Sequence, residues 1–193
     1  MGRTLTFRFV FITMLAVFLI LCAALMYGYV QRRMYPLKYE ALILEYANEY
    51  GLDPYLVCAV IWVESKFNEV ATSHKGARGL MQVIPSTGQW AAQKLGIEGY
   101  TDDSLYDPAV NIRIGCWYLN RLRHHFKGNM GLALAAYNGG SGNVERWLQD
   151  PRYSKDGEEL DNIPFRETRD FVDRVWKAYH KYKQLYCIPD VNR

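Results

Sequence analysis

Long apolar stretches with helical spacing dominate the hydrophobic pattern of this chain. The first of them, residues 9–30, contains no charged side chain and is long enough to cross a bilayer as a single helix. Because basic residues flank it on both sides, charge counting does not fix its orientation. We expect an uncleaved membrane anchor over residues 1–30, with a signal peptide cleaved near Cys22-Ala23-Ala24 as the alternative.

After a short predicted linker at residues 31–37, the pattern indicates helices almost throughout. Asp53-Pro54 and Asp107-Pro108 each place a capping side chain before a proline, which is typical of a helix start. Further helices are expected to begin near residues 39, 85, 129, 141 and 167. No alternating run long enough for a strand stands out, so residues 38–193 are predicted to form one predominantly all-α domain.

Residues 67–84 are the exception to the helical pattern. They form a long segment, containing serine and glycine, between two predicted helices. Long segments of this kind inside a compact domain often carry function. This loop is therefore a place where functional side chains are expected.

Composition and charge narrow the class of protein. The chain has 193 residues, of which 50% are hydrophobic and 15% aromatic, enough for one domain with a core plus an appendage. Its net charge of +3 arises in the amino-terminal segment, since 19 basic and 20 acidic residues occur from Lys38 onward. A nearly neutral domain argues against nucleic-acid binding, which needs a basic face.

Cysteine and histidine spacing gives no sign of a metal site. The four cysteines include no Cys-x-x-Cys pair, and the four histidines form no His-Glu-x-x-His motif. Cys58 and Cys116 fall on apolar helical patterns, where a free cysteine acts as a small hydrophobic residue. The scatter is unlike a disulfide framework, although one bridge stays open for a domain outside the cell.

Glu64 is the first candidate for catalysis. It ends an apolar run at residues 55–63 that is expected to be a buried helix. Burial against such a surface disfavours the ionised carboxyl and raises its pKa. A raised pKa suits a general acid near neutral pH. The alternative is a helix-end glutamate that reaches water.

Three polar clusters accompany this glutamate along the chain. The first joins Glu64-Ser65 to Ser73 and Gln82 in the glycine-punctuated loop, where hydroxyl and amide groups suit the polar groups of sugars. The second is Ala136-Tyr-Asn-Gly-Gly140, and the third is Glu167-Thr-Arg169. Each cluster alone has a simpler explanation, as a loop with turn glycines, a helix stop or a capped helix start.

Together and in this order, the clusters resemble the catalytic domain of the soluble lytic murein transglycosylase family, over roughly residues 38–186. The resemblance implies a lysozyme-like fold with a deep saccharide cleft. It places Glu64 on the family's single catalytic acid and Tyr137 beside that carboxyl. Phe171 sits where related sequences often carry tyrosine. The other cleft positions that the resemblance assigns are Ser73, Gln82, Asn138 and Glu167.

The resemblance also implies a reaction and a location. The expected substrate is the glycan strand of peptidoglycan, cleaved at the β-1,4 bond between N-acetylmuramic acid and N-acetylglucosamine. Glu64 would act first as acid and then as base, leaving a 1,6-anhydro-muramyl end without any cofactor. Because peptidoglycan lies outside the cytoplasmic membrane, the domain is expected to be extracytoplasmic on a single-pass anchor.

Two alternative functions stay open. A hydrolytic muramidase on the same fold would need a second carboxylate to activate water, for which Asp102, Asp103 and Asp107 are candidates. A membrane-tethered glycan-binding module without activity would keep its function when Glu64 is changed to glutamine.

Overall fold

The computed structural model describes residues 2–188, with only the backbone described for residues 2–10. The described residues form two compact units that divide after Pro36. The first unit contains helix α1, Gly2–Met34, whose segment Phe11–Met34 is long and apolar enough to cross a membrane. Most large apolar side chains of this segment are exposed, which suits a helix surrounded by lipid.

Helix α1 extends beyond the anchor boundary predicted at residue 30. It takes in most of the segment predicted as a linker, residues 31–37. The glutamine, arginines and methionine at residues 31–34 are good helix formers, so nothing in them ends the helix. Helix α1 ends two residues before Pro36, because a proline disfavours helical backbone at the residue that precedes it.

The second unit contains the other helices and confirms the all-α prediction. In the part of the chain that the structure describes, β structure is limited to the isolated bridges of Arg78 with Thr72 and Val83. A 3-10 helix at Asp102–Tyr106 was not predicted. The α-helices are α2 (Glu40–Glu49), α3 (Pro54–Ser65), α4 (Pro85–Leu95), α5 (Pro108–His125), α6 (Met130–Gly139), α7 (Ser141–Leu148) and α8 (Arg166–Leu185).

Aspartate caps start the two helices that frame the site. Asp53 Oδ1 accepts the Tyr55 backbone N–H at 2.8 Å, and Asp107 Oδ1 accepts that of Val110 at 3.0 Å. Each bond satisfies a donor that the first helical turn leaves without a helical partner. Helix α3 ends where Lys66 adopts a left-handed φ of 54°, and the chain then enters the loop predicted to be functional.

Helix α3 is the buried centre of the second unit and packs mainly on α8. Its side chains from Leu56 to Ile61 are at most 4% exposed. Cys58 on α3 and Cys116 on α5 are buried and unpaired, and burial raises the pKa of both thiols. They therefore act as the small hydrophobic residues predicted. A helix held this firmly gives the residues at its carboxyl end a fixed position.

Candidate active site

A cleft of about 460 Å³ lies at the carboxyl end of α3. Its walls come from the loop between α3 and α4, from α4 and α5, from the end of α6 and from the start of α8. The structure brings together all of the residues predicted for the site, which line this one cleft: Glu64, Ser73, Gln82, Tyr137, Asn138 and Glu167.

Glu64 is the penultimate residue of α3 and the most strongly perturbed carboxyl of the cleft. Burial raises its pKa from 4.5 to about 8, while the positive charge of Arg174 opposes the rise and the negative charge of Glu167 adds to it. At neutral pH most molecules therefore hold Glu64 in its protonated form. This is the form that a general acid needs.

The burial of Glu64 predicts that the domain loses stability as the pH rises. In the unfolded chain this carboxyl ionises near pH 4.5, whereas the folded protein keeps its proton up to about pH 8. The contribution of Glu64 to the free energy of unfolding is therefore fully present below pH 4.5 and is lost as the pH rises from 4.5 to about 8.

Over that range we expect the free energy of unfolding of wild type to fall more than that of a Glu64→Gln variant, by on the order of 1–3 kcal/mol. Urea unfolding at a series of pH values measures the difference. Parallel curves for the two proteins would contradict the burial of this carboxyl.

Tyr137, near the end of α6, is held in place before any substrate binds. Its hydroxyl donates to the Met81 carbonyl at 2.8 Å, and its ring centroid lies 5.5 Å from that of Tyr118. The apolar ring of Phe171 is stacked nearly parallel to the Tyr137 ring, with centroids 6.5 Å apart. Burial, then the charge of Glu64, raises the pKa of Tyr137 well above its usual value. Because the hydroxyl proton of Tyr137 is already donated to the Met81 carbonyl, the phenol oxygen can take part in a further hydrogen bond only as an acceptor.

The two polar side chains of the loop, Ser73 and Gln82, also hold the backbone. The Ser73 hydroxyl accepts the Ala77 N–H at 3.0 Å, which leaves its own proton for a ligand. The Gln82 amide nitrogen donates to the carbonyls of Ala71 at 3.1 Å and Gly79 at 2.9 Å. Only the amide oxygen of Gln82 is then left for a ligand, so this side chain shapes the loop as well as the cleft.

Asn111 of α5 is a buried residue that no sequence motif marks as part of the site. Its Oδ1 accepts the Met81 N–H at 2.7 Å, and its Nδ2 donates to the carbonyls of Arg78 at 2.9 Å and Leu105 at 2.7 Å. A Cβ at Gly79 would lie 2.1 Å from the Leu105 carbonyl oxygen, so only glycine fits there. Asn111 therefore fixes the residue whose carbonyl holds the cleft tyrosine.

The end of α6 and the start of α8 meet through small polar groups. The Thr168 hydroxyl donates to Asn138 Oδ1 at 2.8 Å, which leaves the Asn138 amide N–H groups for a ligand. The close approach of α6 to α8 needs a residue without a large side chain at position 139, since a Cβ at Gly139 would lie 3.0 Å from Thr168 Oγ1. Glu167 is exposed and pairs with Lys75 at 3.2 Å, so it joins α8 to the loop at the rim of the cleft.

The aspartates considered as a second catalytic carboxylate, Asp102, Asp103 and Asp107, do not line the cleft. Asp103 pairs with Arg78 at 2.7 Å, and Asp107 caps α5. Glu167 is the second carboxylate that the described residues place in the cleft. Among these residues, no group of three or more His, Cys, Asp or Glu is placed to hold a metal ion.

Fold and site define a helical domain with one proton-holding carboxyl at the end of its central helix, inside a polar cleft. The chain belongs to the transglycosylase SLT domain family, whose model matches residues 41–160. The family resemblance and the lysozyme-like helical fold that it implied are confirmed.

Named relatives and solved structures agree with this assignment. The soluble lytic murein transglycosylase of Escherichia coli K12 is 35% identical over 152 residues, which cover 77% of this chain and 24% of that protein. The membrane-bound lytic murein transglycosylase C of Actinobacillus pleuropneumoniae serotype 5b is 30% identical over 173 residues, covering 77% and 46%.

Among solved structures, an inactive Glu-to-Gln mutant of the lytic transglycosylase Slt from Pseudomonas aeruginosa matches with a TM-score of 0.68 and 34% identity. The match covers 81% of this chain and 26% of that one. The chain therefore spans about a quarter of the length of the soluble relatives and just under half of the membrane-bound one.

Proposed function

We propose that this domain is a peptidoglycan lytic transglycosylase. It cleaves the β-1,4 bond between N-acetylmuramic acid and N-acetylglucosamine and leaves a 1,6-anhydro-muramyl end. The observation that carries the proposal is Glu64, whose raised pKa of about 8 makes it a proton donor inside a polar cleft. The inactive Glu-to-Gln mutant of the Pseudomonas aeruginosa relative supports a glutamate as the essential group.

In this mechanism Glu64 acts twice. Its protonated carboxyl donates to the glycosidic oxygen, the bond from that oxygen to C1 of the muramic unit breaks, and the acetamido group of that unit stabilises the positive charge. The Glu64 carboxylate then takes the proton of the C6 hydroxyl, whose oxygen bonds to C1 and closes the anhydro ring. Glu64 ends protonated and no water is consumed, so an intermediate pKa suits both steps.

The remaining cleft groups bind and orient the sugars. The Ser73 hydroxyl and the Asn138 amide N–H groups donate, and the Gln82 oxygen accepts, which suits sugar hydroxyl and acetamido groups. The Tyr137 oxygen accepts a hydrogen bond either from an acetamido N–H or from the protonated carboxyl of Glu64, and thereby orients one of these two groups.

A hydrolytic muramidase is the second candidate, favoured by one observation. Glu167 lines the same cleft as Glu64 and is a carboxylate that could activate water. Its exposure and its pairing with Lys75 favour a framing role instead.

Mass spectrometry of digested murein separates the two candidates. Anhydro-muramyl ends are expected, whereas reducing ends would support the muramidase. A failure to release any fragment would favour a binding module without activity.

A Tyr137→Phe variant tests whether the phenol oxygen supports the reaction. It keeps the ring but removes the bond to Met81 and the acceptor beside Glu64. We expect the free energy of unfolding to fall by about 1 kcal/mol and kcat/KM for murein to fall roughly 10- to 100-fold, because small misplacements of reacting groups are costly.

Tyr179→Phe is the matched control for this variant. Its hydroxyl donates to Asp53 at 2.8 Å, and Tyr179 does not line the cleft. It should lose similar stability and keep full activity. Equal activities of the two variants would remove Tyr137 from the proposed mechanism.

We further propose that α1 anchors the domain outside the cytoplasmic membrane. The helix is long and apolar enough to span, and one group of relatives is named membrane-bound. A protease added to intact spheroplasts should then digest the domain. Protection of the domain would place it on the cytoplasmic side and contradict the proposed access to murein.

A further inference from the structure

Outside the cleft, α4 and α5 carry an aromatic cluster beside one arginine, which we call the α4–α5 patch: Trp90, Trp117 and Arg121. The two indole centroids lie 4.9 Å apart at an angle of 68°. The Arg121 guanidinium carbon lies 4.9 Å from the Trp90 ring and 5.3 Å from the Trp117 ring. These cation–π contacts hold both indoles in fixed positions at the surface.

The α4–α5 patch is open to solvent and carries a positive charge. Trp90 keeps 37% of its surface exposed, a large value for a residue of this size and one of the few such residues in the second unit. Arg121 is exposed and forms no ion pair with a carboxylate of the described residues. Tryptophan and arginine are enriched among the residues that contribute most of the binding energy at protein interfaces.

The patch continues the wall of the cleft. Tyr118 lines the cleft, and its ring centroid lies 5.5 Å from that of Tyr137 and 6.4 Å from that of Trp90. On α4, Thr87 also lines the cleft and precedes Trp90 by about one helical turn. A row of aromatic rings therefore leads from the cleft tyrosine out to the patch.

We propose that the α4–α5 patch binds a further unit of the same glycan strand, beyond the sugars that occupy the cleft. The inference rests on the proposed function. The exposed Trp90 indole offers an apolar surface to the C–H groups of a sugar ring. Arg121 suits the carboxylates that the peptide stem of a muramic unit carries, because a guanidinium pairs well with carboxylates. The patch thus makes the enzyme favour long strands with peptide stems.

Glycan binding to the Glu64→Gln protein tests the proposal without turnover. Calorimetry with an N-acetylglucosamine ladder, from disaccharide to octasaccharide, gives affinity against length. We expect Trp90→Ala to weaken octasaccharide binding roughly three- to tenfold and to leave disaccharide binding unchanged. Trp176→Ala is the matched control, because Trp176 is a partly exposed tryptophan on α8 that does not line the cleft. This variant should change neither the octasaccharide affinity nor the disaccharide affinity.

A second variant tests the charge and does not depend on the folding of Trp90→Ala. Arg121→Gln should weaken binding of murein strands that keep their peptide stems, and should leave strands stripped of peptides within about twofold of the parent. Unchanged length dependence in Trp90→Ala, or unchanged binding of both strand types by Arg121→Gln, would overturn the proposal. Failure of the parent to bind any glycan would overturn the proposed function as well.

Discussion

We expect the replacement of Glu64 with glutamine to lower kcat/KM for murein by about a thousandfold or more, since general acid and base catalysis each contribute roughly 10²- to 10⁴-fold. The amide cannot donate a proton of comparable acidity to the glycosidic oxygen, and it cannot accept one from the C6 hydroxyl. The neutral glutamine replaces a carboxyl that is itself protonated at neutral pH, given its pKa of about 8, so the fold should be kept. Release of soluble muropeptides from purified murein measures the effect.

Glu167→Gln is the informative companion to this variant. It lies in the same cleft, but the proposed reaction gives it no proton to transfer. We expect its activity to stay within about tenfold of wild type, because it loses only a polar contact and an exposed ion pair. A loss as large as that of Glu64→Gln would favour the muramidase, with Glu167 as the base. Full activity of Glu64→Gln would show that the acid has been misassigned.

Replacing Asn111 with alanine has the largest expected effect on stability. It leaves two buried backbone groups without their partner, the Met81 N–H and the carbonyl of Leu105, whereas the carbonyl of Arg78 keeps the Val83 N–H at 3.0 Å. Since each buried unsatisfied group costs about 1–3 kcal/mol, we expect the free energy of unfolding to fall by roughly 3–5 kcal/mol. Urea unfolding measures this loss directly.

The same variant is expected to lose activity even where it remains folded. Met81 is displaced once its N–H loses Asn111, and the carbonyl of Met81 holds the cleft tyrosine. Asn68→Ala is the control, because Asn68 is exposed and bonds only locally, to the Val70 N–H. It should change stability by less than about 0.5 kcal/mol. If Asn111→Ala behaves the same way, the network does not position the site.

Local sequence rules account for the helices and for the central carboxyl. Asp53 and Asp107, each before a proline, determine their helix starts through contacts within the first turn. A run as continuously apolar as residues 55–63 has to lie in the core, so a carboxyl at its end is partly desolvated. The sequence pattern therefore predicts the direction of the pKa shift of Glu64.

Contacts between distant segments are what the sequence could not predict. Asn111 lies 30 residues from Met81, and an asparagine in the first turns of a helix is usually a solvated residue. Its only sequence signal is its place beside Ile112 and one turn before Ile114 and Gly115, on a face that proves to be buried. The bonds of Gln82 to its own loop depend on its left-handed φ of 47°, which no local pattern indicates.

The aromatic row beyond the cleft shows the same limit. Trp117 and Arg121 are four residues apart on α5, so their contact is a local one that the spacing allows. The contact of Trp90 with both depends on how α4 packs against α5, which is a tertiary result. Sequence patterns therefore predict the helices and the carboxyl of Glu64. The hydrogen bonds of Asn111 and the α4–α5 patch become visible only in the structure.

In the proposed reaction, Glu64 directs the C6 hydroxyl of the sugar, and not water, to C1. Digestion of murein in water enriched in ¹⁸O, with a hydrolytic muramidase run in parallel as the positive control, tests it most directly. Mass spectrometry of the released muropeptides should find anhydro ends that contain no heavy oxygen. Reducing ends that carry ¹⁸O at C1 would contradict the account.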